Sequence, residues 1–286
     1  MQTRRNFIKL CATLAGTGML GLAGCGSGGT GAATTEAATD AASTAADTSA
    51  DITTFTVGFD QAYPPYGFVG DDGNFTGFDL DLAQIVCDSC GWELALEPID
   101  WDAKNTLLNS GAITCIWNGF TQEGRENDYT FSAPYMLNGQ VVVVKKDSGI
   151  ASLADLAGKA VITQTDSAAQ EVLEGDKADV AATFASLETI GDYNTAFMQL
   201  ESGAIDAVAC DLSIAQYQLA AKPDAYTQLD ESLSSEHYAV AFKKGAQQLA
   251  DKVTETLKTL DADGAVKELC EKYADYGISY ENWILK

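Results

Sequence analysis

The stretch Trp117-Asn118-Gly119-Phe120-Thr121-Gln122-Glu123-Gly124-Arg125 decides the fold. It follows residues 112–116, a short apolar run rich in β-branched side chains that is typical of a buried strand. It precedes residues 129–135, a second extended segment closed by a proline. Glycine lets the backbone approach a ligand closely, so a polar loop with two glycines between two strands predicts a binding loop at a sheet edge.

Arg125 ends this loop and allows two interpretations. Its guanidinium is a planar, permanently charged fork that matches a carboxylate bidentately. In the first interpretation, Arg125 and Thr121 grip the carboxylate of a small ligand. In the second, Arg125 pairs with Glu123, Glu126 or Asp128 in an exposed turn. The chain on either side favours the first.

Strands and helices alternate along the rest of the chain. Strands are expected at 55–59, 92–96, 112–116, 141–144, 159–162, 181–184, 204–210 and 238–242. Helices are expected at 78–86, 103–109, 168–174, 193–202, 213–221, 246–260 and 263–274. This order predicts an α/β fold with mostly parallel sheets flanked by helices.

The alternation divides into two units, and the final strand and helices are too short to stand alone. We expect residues 52–144 plus 239–286 to form lobe 1, and residues 145–238 to form lobe 2. The chain would then cross between the lobes twice, near 144–146 and near 234–238. A cleft between the lobes follows from this arrangement.

Charged and aromatic side chains follow several predicted strands, at the edge where α/β sheets bind ligands. Asp60, Trp101 and the 118–125 loop do so in lobe 1, and Asp211 does so in lobe 2. Residues 164–168 open a helix, whose first N–H groups are unpaired and suit an anion. An anion clamp with an acceptor for a cation predicts a free α-amino acid as ligand, because burying either charge unpaired is costly.

Residues 1–25 read as an export signal. Arg4 and Arg5 precede an apolar stretch at 10–23, which is too short to span a bilayer. The ending Leu-Ala-Gly-Cys resembles a bacterial lipobox with Cys25 as the lipidated residue, and the start resembles a twin-arginine signal. A general secretory signal with incidental arginines leads to the same compartment. Residues 26–51 are rich in Gly, Ala, Thr and Ser and are expected to form a disordered tether.

Composition narrows the function classes. The formal net charge of −24 argues against nucleic acid, whose affinity depends on neutralising phosphates. Cys87 and Cys90 form a lone CxxC, which fits either a local disulfide or a pair of buried thiols. With one histidine in the chain, we expect no zinc site and no other metal or cofactor. Cys115 and Cys210 lie in apolar runs and read as core residues.

Several motifs together carry a family resemblance. They are Gly58-x-Asp60-x-x-Tyr63-x-Pro65-Tyr66, Gly77-Phe78-Asp79-Leu80-Asp81-Leu82-Ala83, Asn118-Gly119-Phe120-Thr121 with Arg125, Phe131-Ser132-x-Pro134-Tyr135, Leu153-x-Asp155-Leu156-x-Gly158-Lys159, and Gly203-x-Ile205-Asp206-Ala207 with Asp211. Over residues 55–276 the chain resembles the polar amino-acid-binding proteins of ABC importers, solute-binding protein family 3. That resemblance implies the two-lobed type II periplasmic-binding fold with two hinge crossings.

The resemblance also implies roles for individual residues. Arg125 would bind the α-carboxylate, and Asp211 would accept from the α-ammonium. Tyr63 and Trp101 would sandwich the ligand side chain, and Asp60 would meet its tip. The expected ligand-binding residues are Asp60, Tyr63, Trp101, Asn118, Gly119, Thr121, Arg125, Gln164, Ser167, Ala168 and Asp211.

Two of these positions, and the neighbouring Asp166, keep a second interpretation. Trp101 also fits a plain core residue, and Asp60 also fits the cap of a turn. Asp166 stands where the family often has glycine, so it either caps the following helix or opposes an incoming carboxylate.

The resemblance implies an extracytoplasmic binding protein, not an enzyme, that serves an ABC permease and its ATPase. The strongly acidic net charge predicts a monomer. A carboxylate between aromatic rings favours a basic amino acid or glutamine, and cystine also fits. A periplasmic dehydratase-type enzyme or a ligand sensor on the same fold are the alternatives. Acid–base chemistry needs a positioned pair, and His237, outside the predicted cleft, offers none.

Overall fold

A computed structural model describes residues 52–286. The predicted signal peptide, the tether and Cys25 lie outside the described residues. Among residues 52–286, helices of the length and apolar character needed to cross a membrane are absent.

The strands and helices follow the predicted α/β alternation. The strands are β1 (Thr54–Phe59), β2 (Ala62–Tyr63), β3 (Gly67–Val69), β4 (Phe75–Thr76), β5 (Glu93–Pro98), β6 (Cys115–Ile116), β7 (Tyr129–Phe131), β8 (Met136–Lys145), β9 (Ala160–Gln164), β10 (Ser186–Ile190), β11 (Ala207–Asp211), β12 (Tyr226–Gln228), β13 (Ser234–Tyr238) and β14 (Ala241–Lys243). The helices are α1 (Phe78–Cys90), α2 (Lys104–Ser110), α3 (Ala168–Glu174), α4 (Ala178–Ala181), α5 (Tyr193–Ser202), α6 (Leu212–Ala221), α7 (Gln247–Ala262) and α8 (Ala265–Lys272). Short 3-10 helices lie at Trp101–Ala103, Leu153–Leu156, Ala274–Tyr276 and Tyr280–Asn282.

Two larger sheets carry the fold. The first has the order β5-β1-β6-β14-β7, and the second has the order β10-β9-β11-β8-β12, with β13 also paired to β8. In each sheet one strand runs opposite to all the others: β14 is antiparallel to its neighbours β6 and β7, and β8 is antiparallel to β11, β12 and β13. The sheets are therefore mixed, with all strands but one in each running in the same direction, which agrees with the expectation of mostly parallel sheets. The antiparallel strands are those next to the points where the chain passes between the sheets.

The first passage between the sheets differs from the predicted one at 144–146. All of β8 pairs within the second sheet, with β11, β12 and β13. The passage therefore lies at residues 132–135, between β7 and β8. The continuous run of valines in β8 does not indicate which sheet the strand joins, because a strand buried on both faces has the same apolar pattern in either sheet.

The chain returns to the first sheet between Tyr238 and Ala241. The predicted single strand at 238–242 is thus divided between β13 and β14. The two passages lie side by side, since Ser132 N donates to Val240 O at 2.9 Å and Tyr135 N donates to Tyr238 O at 2.9 Å. Backbone hydrogen bonds therefore join the two connections between the sheets.

Candidate ligand-binding site

A cavity of about 370 Å³ lies where strands of the two sheets end. Its walls come from the segments after β1 and β5 in the first sheet and after β9 and β10 in the second. The lining residues are Asp60, Gln61, Ala62, Ile99, Asp100, Trp101, Asp102, Thr165, Gly191 and Asp192. Aspartate is the commonest residue in this lining, and none of the ten is a lysine or arginine.

Asp60 joins the two sides of this cavity. Its Oδ1 accepts from Ala62 N at 2.8 Å, which is the turn-capping contact. Its Oδ2 accepts from Gln164 Nε2, at the end of β9, at 2.7 Å. Gln164 also donates to Gly191 O at 2.9 Å. Burial raises the pKa of the Asp60 carboxyl, while these hydrogen bonds lower it.

Trp101 lines the cavity, and Tyr63 does not. Trp101 packs edge-on against Phe120, with ring centroids 5.6 Å apart, and Lys104 Nζ lies 5.2 Å from the Trp101 ring. Tyr63 is buried against Tyr193, at 6.1 Å between centroids, with its hydroxyl 3.4 Å from that of Tyr238. The predicted sandwich of these two rings thus stays a prediction, with only Trp101 in the cavity wall.

Arg125 lies buried on the face of Phe120, with its guanidinium carbon 4.6 Å from the ring centroid. Its Nη1 donates to Thr121 O at 3.4 Å. Its carboxylate partner is Glu171, in the first turn of α3, whose Oε1 accepts from Nε at 3.2 Å and from Nη2 at 2.8 Å. Arg125 therefore reaches across from the first sheet to a helix of the second.

The alternative partners of Arg125 within its own turn are not used. Among the ion pairs of residues 52–286, Glu123 is paired with His237, and neither Glu126 nor Asp128 contacts the guanidinium. The exposed-turn interpretation of Arg125 is therefore wrong. A buried guanidinium needs a partner, and the second sheet supplies it.

Ser167, and not Asp166, caps the N-terminus of α3, where an anion site was predicted. Ser167 caps the helix, because its Oγ accepts from Gln170 N at 3.2 Å, and Ala168 is the first helical residue. Asp166 does not cap it and instead has a left-handed backbone, with φ of 56°. The Asp166 carboxylate lies 3.6 Å from Lys104 Nζ, so its charge is compensated by a lysine of the first lobe.

Asp211 occupies the N-cap position of α6 without capping it. Its Oδ1 instead accepts from Asn138 Nδ2 at 3.0 Å, Gln140 Nε2 at 2.8 Å and Tyr238 OH at 2.9 Å. Glu236 Oε1 accepts from the same two amide groups, at 2.7 Å each. The predicted ammonium acceptor therefore belongs to a buried network with a second carboxyl group.

Thr121 connects this network to the 118–125 loop, of which it is a part. Its Oγ1 donates to Glu236 Oε1 at 2.8 Å, and its backbone forms a β-bridge with Tyr238. Since Arg125 Nη1 reaches the Thr121 carbonyl, a continuous path of hydrogen bonds runs from the guanidinium through Thr121 and Glu236. The shared amide groups extend that path to Asp211.

Asn118 and Gly119 hold the start of the loop in place. Asn118 Oδ1 accepts from Asp60 N at 3.0 Å, and Gly119 N donates to Asp79 Oδ2 at 2.6 Å. Tyr135 OH donates to both Asp79 oxygens at 2.8 Å. Burial raises the pKa of Asp79 to about 7. Asp79, in the first turn of α1, is therefore buried and holds the 118–125 loop in place.

Sequence reasoning missed five residues that contact the predicted site. They are Lys104, Asn138, Gln140, Glu171 and Glu236. Burial lowers the pKa of Lys104 to about 8, with the charge of Arg125 as the next cause. A usable signal existed for two of these residues. Asn138 and Gln140 are polar residues at alternate positions beside a valine run, which places both on one strand face.

The chain is similar to proteins of known function and to solved structures. The chain is 31% identical over 223 residues to the L-cystine-binding protein TcyJ of Escherichia coli (strain K12), covering 77% of this chain and 82% of that protein. It is 27% identical over 220 residues to the arginine-binding extracellular protein ArtP of Bacillus subtilis (strain 168), covering 76% of this chain and 84% of that protein. A crystal structure of an ABC uptake transporter substrate binding protein from Streptococcus pneumoniae with bound histidine matches with a TM-score of 0.76 and 32% identity. That match covers 80% of this chain and 95% of the other.

The fold is accordingly that of the type II periplasmic binding proteins, which confirms the expected α/β class. The sequence pattern of one family matches residues 55–276, nearly all of the part of the chain that the structure describes. The chain belongs to the bacterial extracellular solute-binding proteins, family 3.

Proposed function

We propose that the protein binds a free polar amino acid and delivers it to an ABC importer. One observation carries this proposal. A buried guanidinium, Arg125, and a buried carboxylate, Asp211, are joined through Thr121 by the path of hydrogen bonds described above. An α-amino acid carries the two complementary charges on neighbouring atoms. The similar proteins named for cystine, arginine and histidine binding support the same ligand class.

In this proposal the α-carboxylate binds Arg125, assisted by Thr121 and the backbone of Ser167 and Ala168. The α-ammonium binds Asp211 and main-chain oxygen near Gly119. Both groups on the protein are almost fully buried, at 6% exposure for Arg125 and 4% for Asp211. A buried charge-assisted hydrogen bond is stronger than a neutral one, so both ends of the ligand contribute to affinity.

The cavity favours a ligand with a cationic side chain. Asp60, Asp100, Asp102 and Asp192 line it together with Trp101, whose ring attracts a cation. A basic amino acid is therefore the favoured ligand, and Gln164 beside Asp60 offers an amide for glutamine. Cystine also suits the site, since its second ammonium group would face the aspartates.

Ligand capture would occur by closure of two lobes. We assign residues 52–135 and 239–286 to lobe 1 and the rest of the described chain to lobe 2. Side-chain contacts that cross between them include Asp60 with Gln164, Arg125 with Glu171, Lys104 with Asp166, and Thr121 with Glu236. The two adjacent passages between the sheets are the natural hinge.

The remaining parts of the proposal follow from the first 51 residues. A lipid on Cys25 would hold the protein at the outer face of the membrane as a monomer. The 26–51 tether would keep the ligand-bound form at high local concentration near the permease and its ATPase. The binding role itself requires no cofactor.

The test is a thermal-shift screen of the purified protein against the common amino acids and L-cystine. The protein is first unfolded and refolded to remove carried ligand. We expect one or a few polar amino acids to raise Tm by several degrees, and Arg125→Ala to abolish the rise while Lys258→Ala, an exposed cation on α7, preserves it. No rise with any amino acid would overturn the proposal. Mass spectrometry of the released ligand should find it unchanged, whereas a dehydrated product would indicate the dehydratase-type enzyme.

A further inference from the structure

Glu236 is a second buried carboxyl group beside the proposed ammonium acceptor, Asp211. The two are 2% and 4% exposed. Glu236 Oε1 and Asp211 Oδ1 accept hydrogen bonds from the same two donors, Asn138 Nδ2 and Gln140 Nε2, at distances of 2.7, 2.7, 3.0 and 2.8 Å. An NH₂ group that donates to two carboxyl groups at once holds them close together.

The second sheet itself builds this pair. Strand β8 lies between β11 and β13, with Gln140 opposite Asp211 and Asn138 opposite Glu236. Residues 138 and 140 lie on the same face of β8, because side chains alternate along a strand. The two carboxyl groups therefore meet over one strand, and the pairing register fixes their separation.

No cation in the described part of the chain balances the charge of this pair. Among residues 52–286, none of the ion pairs includes Asp211 or Glu236. The cation connected to this network is Arg125, and its Nη1 reaches only the main-chain oxygen of Thr121. His237, next to Glu236 along the strand, is paired with Glu123 in an exposed contact. Two buried carboxylates without a cation repel one another.

The other groups around the pair are neutral. Tyr238 OH donates to Asp211, and Tyr63 OH lies 3.4 Å from Tyr238 OH. Burial keeps the pKa of both tyrosines well above the ordinary value, so both are uncharged. Burial, and then the charge of Asp211, raises the pKa of Glu236 to about 7. Ser234 Oγ donates to the second Glu236 oxygen at 3.4 Å, and a hydroxyl can equally accept a hydrogen bond from a protonated carboxyl group.

We propose that Glu236 holds a proton while Asp211 has no ammonium partner, and that it releases this proton to solvent when the α-ammonium of an amino acid binds. The inference rests on the proposed function. A bound ammonium places a positive charge beside the pair, which favours the ionised form of Glu236. Glu236 then acts through Asp211 as a positioning residue, and amino-acid binding is linked to pH.

The test is isothermal titration calorimetry of the purified protein with L-arginine, L-glutamine and L-cystine between about pH 5 and pH 6.5, a range below the pKa of their α-ammonium groups. Each titration is repeated in buffers of different ionisation enthalpy, which counts the protons exchanged. Near pH 6 we expect release approaching about one proton per bound amino acid, with affinity falling up to about tenfold per unit decrease in pH. Glu236→Gln, which keeps the oxygen that accepts from Asn138 and Gln140, should lose both effects.

Each outcome decides the inference. Glu188→Gln, an exposed carboxyl on β10, serves as the matched control and should release protons as the parent does. Binding without proton release in the parent protein would overturn the role of Glu236 and leave the proposed function standing. Proton release that persists in Glu236→Gln would also overturn it. If none of the three amino acids binds at any pH, although thermal unfolding shows folded protein, the proposed function fails and the inference fails with it.

Discussion

The guanidinium of Arg125 donates from both Nε and Nη2 to a single oxygen of Glu171, at 3.2 and 2.8 Å. Arg125 lies in the loop between β6 and β7 and Glu171 lies on α3, so this contact joins the two proposed lobes beside the proposed carboxylate site. The Glu171 side chain is 52% exposed, and its contribution is therefore weakened by solvent. A ligand carboxylate would approach the same guanidinium, and Glu171 would compete with it.

Replacing Glu171 should therefore strengthen ligand binding. Glu171→Gln removes the competing charge and keeps the size of the side chain. We expect affinity for an amino acid such as L-arginine to rise by up to about fivefold, the size of an exposed ion pair. Calorimetric titration measures this, with Glu174→Gln at the end of the same helix as the control. A weaker affinity in Glu171→Gln would show that Glu171 supports the guanidinium instead of competing for it.

Removing the charge of Asp60 should change ligand preference. Asp60→Asn retains an oxygen to accept from Ala62 N but takes one negative charge out of the cavity wall. Affinity for L-arginine should fall by roughly tenfold, as expected for the loss of a partly screened charge contact, and affinity for L-glutamine should change less. Asp88→Asn, an exposed change on α1, is the control. Equal losses for both amino acids would contradict the assigned role of Asp60.

Asp79 should make folding stability depend on pH. Its folded pKa of about 7 lies above its ordinary value of 3.8, so the unfolded chain ionises first as pH rises. As pH rises from 3.8 to about 7, Asp79 therefore lowers the free energy of unfolding by up to about 1.4 kcal/mol per pH unit. Above pH 7 it lowers the free energy of unfolding no further. Urea unfolding of the parent and of Asp79→Asn at several pH values measures this. The parent should lose stability relative to Asp79→Asn from about pH 4 to pH 7, and a constant difference would refute the assignment.

Gly119 is required by both its backbone and its neighbours. Its φ is 57°, and a Cβ there would lie 3.1 Å from the rings of Tyr63 and Tyr238. Gly124, in the same loop, has φ of 80° and no atom within 4 Å of an added Cβ. Gly124→Ala should cost about 1–2 kcal/mol for the left-handed backbone alone.

Gly119→Ala should cost more than Gly124→Ala and should also impair amino-acid binding, because the tyrosine rings must move. Urea unfolding and calorimetric titration of the two variants separate these effects. Equal losses of unfolding free energy in the two variants would mean that the tyrosine rings move aside without an energetic cost.

Much of the fold could be predicted from local patterns. The helix at Tyr193–Ser202 has the predicted bounds, since Asp192 caps its start and Gly203 ends it in a left-handed conformation. The strand predicted at 181–184 is wrong. Helix α4 ends there, and the strand lies at Ser186–Ile190. Alanine has a high helix propensity, and the short apolar run at 181–184 does not distinguish the periodicity of a helix from that of a strand.

The partners of the site residues were harder to predict. Arg125, Asp60 and Asp211 follow strand ends, and the order of elements was enough to place them at a sheet edge. The contact of Glu171 with Arg125 depends on how the first sheet faces α3. The position of Glu236 depends on the register of β13 against β8. A register is a tertiary property, and neither acidic residue belongs to a local pattern that marks it.

The central claim is that one small ligand is held by its carboxylate at Arg125 and by its ammonium at Asp211. Calorimetric titration of the purified protein with L-arginine, agmatine and Nα-acetyl-L-arginine tests it directly, alongside L-glutamine, 4-aminobutyramide and Nα-acetyl-L-glutamine. Agmatine and 4-aminobutyramide lack the carboxylate, and the acetylated compounds lack the ammonium. We predict that a complete amino acid binds and that losing either charge weakens binding by roughly a hundredfold or more, as expected when a buried charge loses its partner. Binding of agmatine as tight as that of L-arginine would contradict the account.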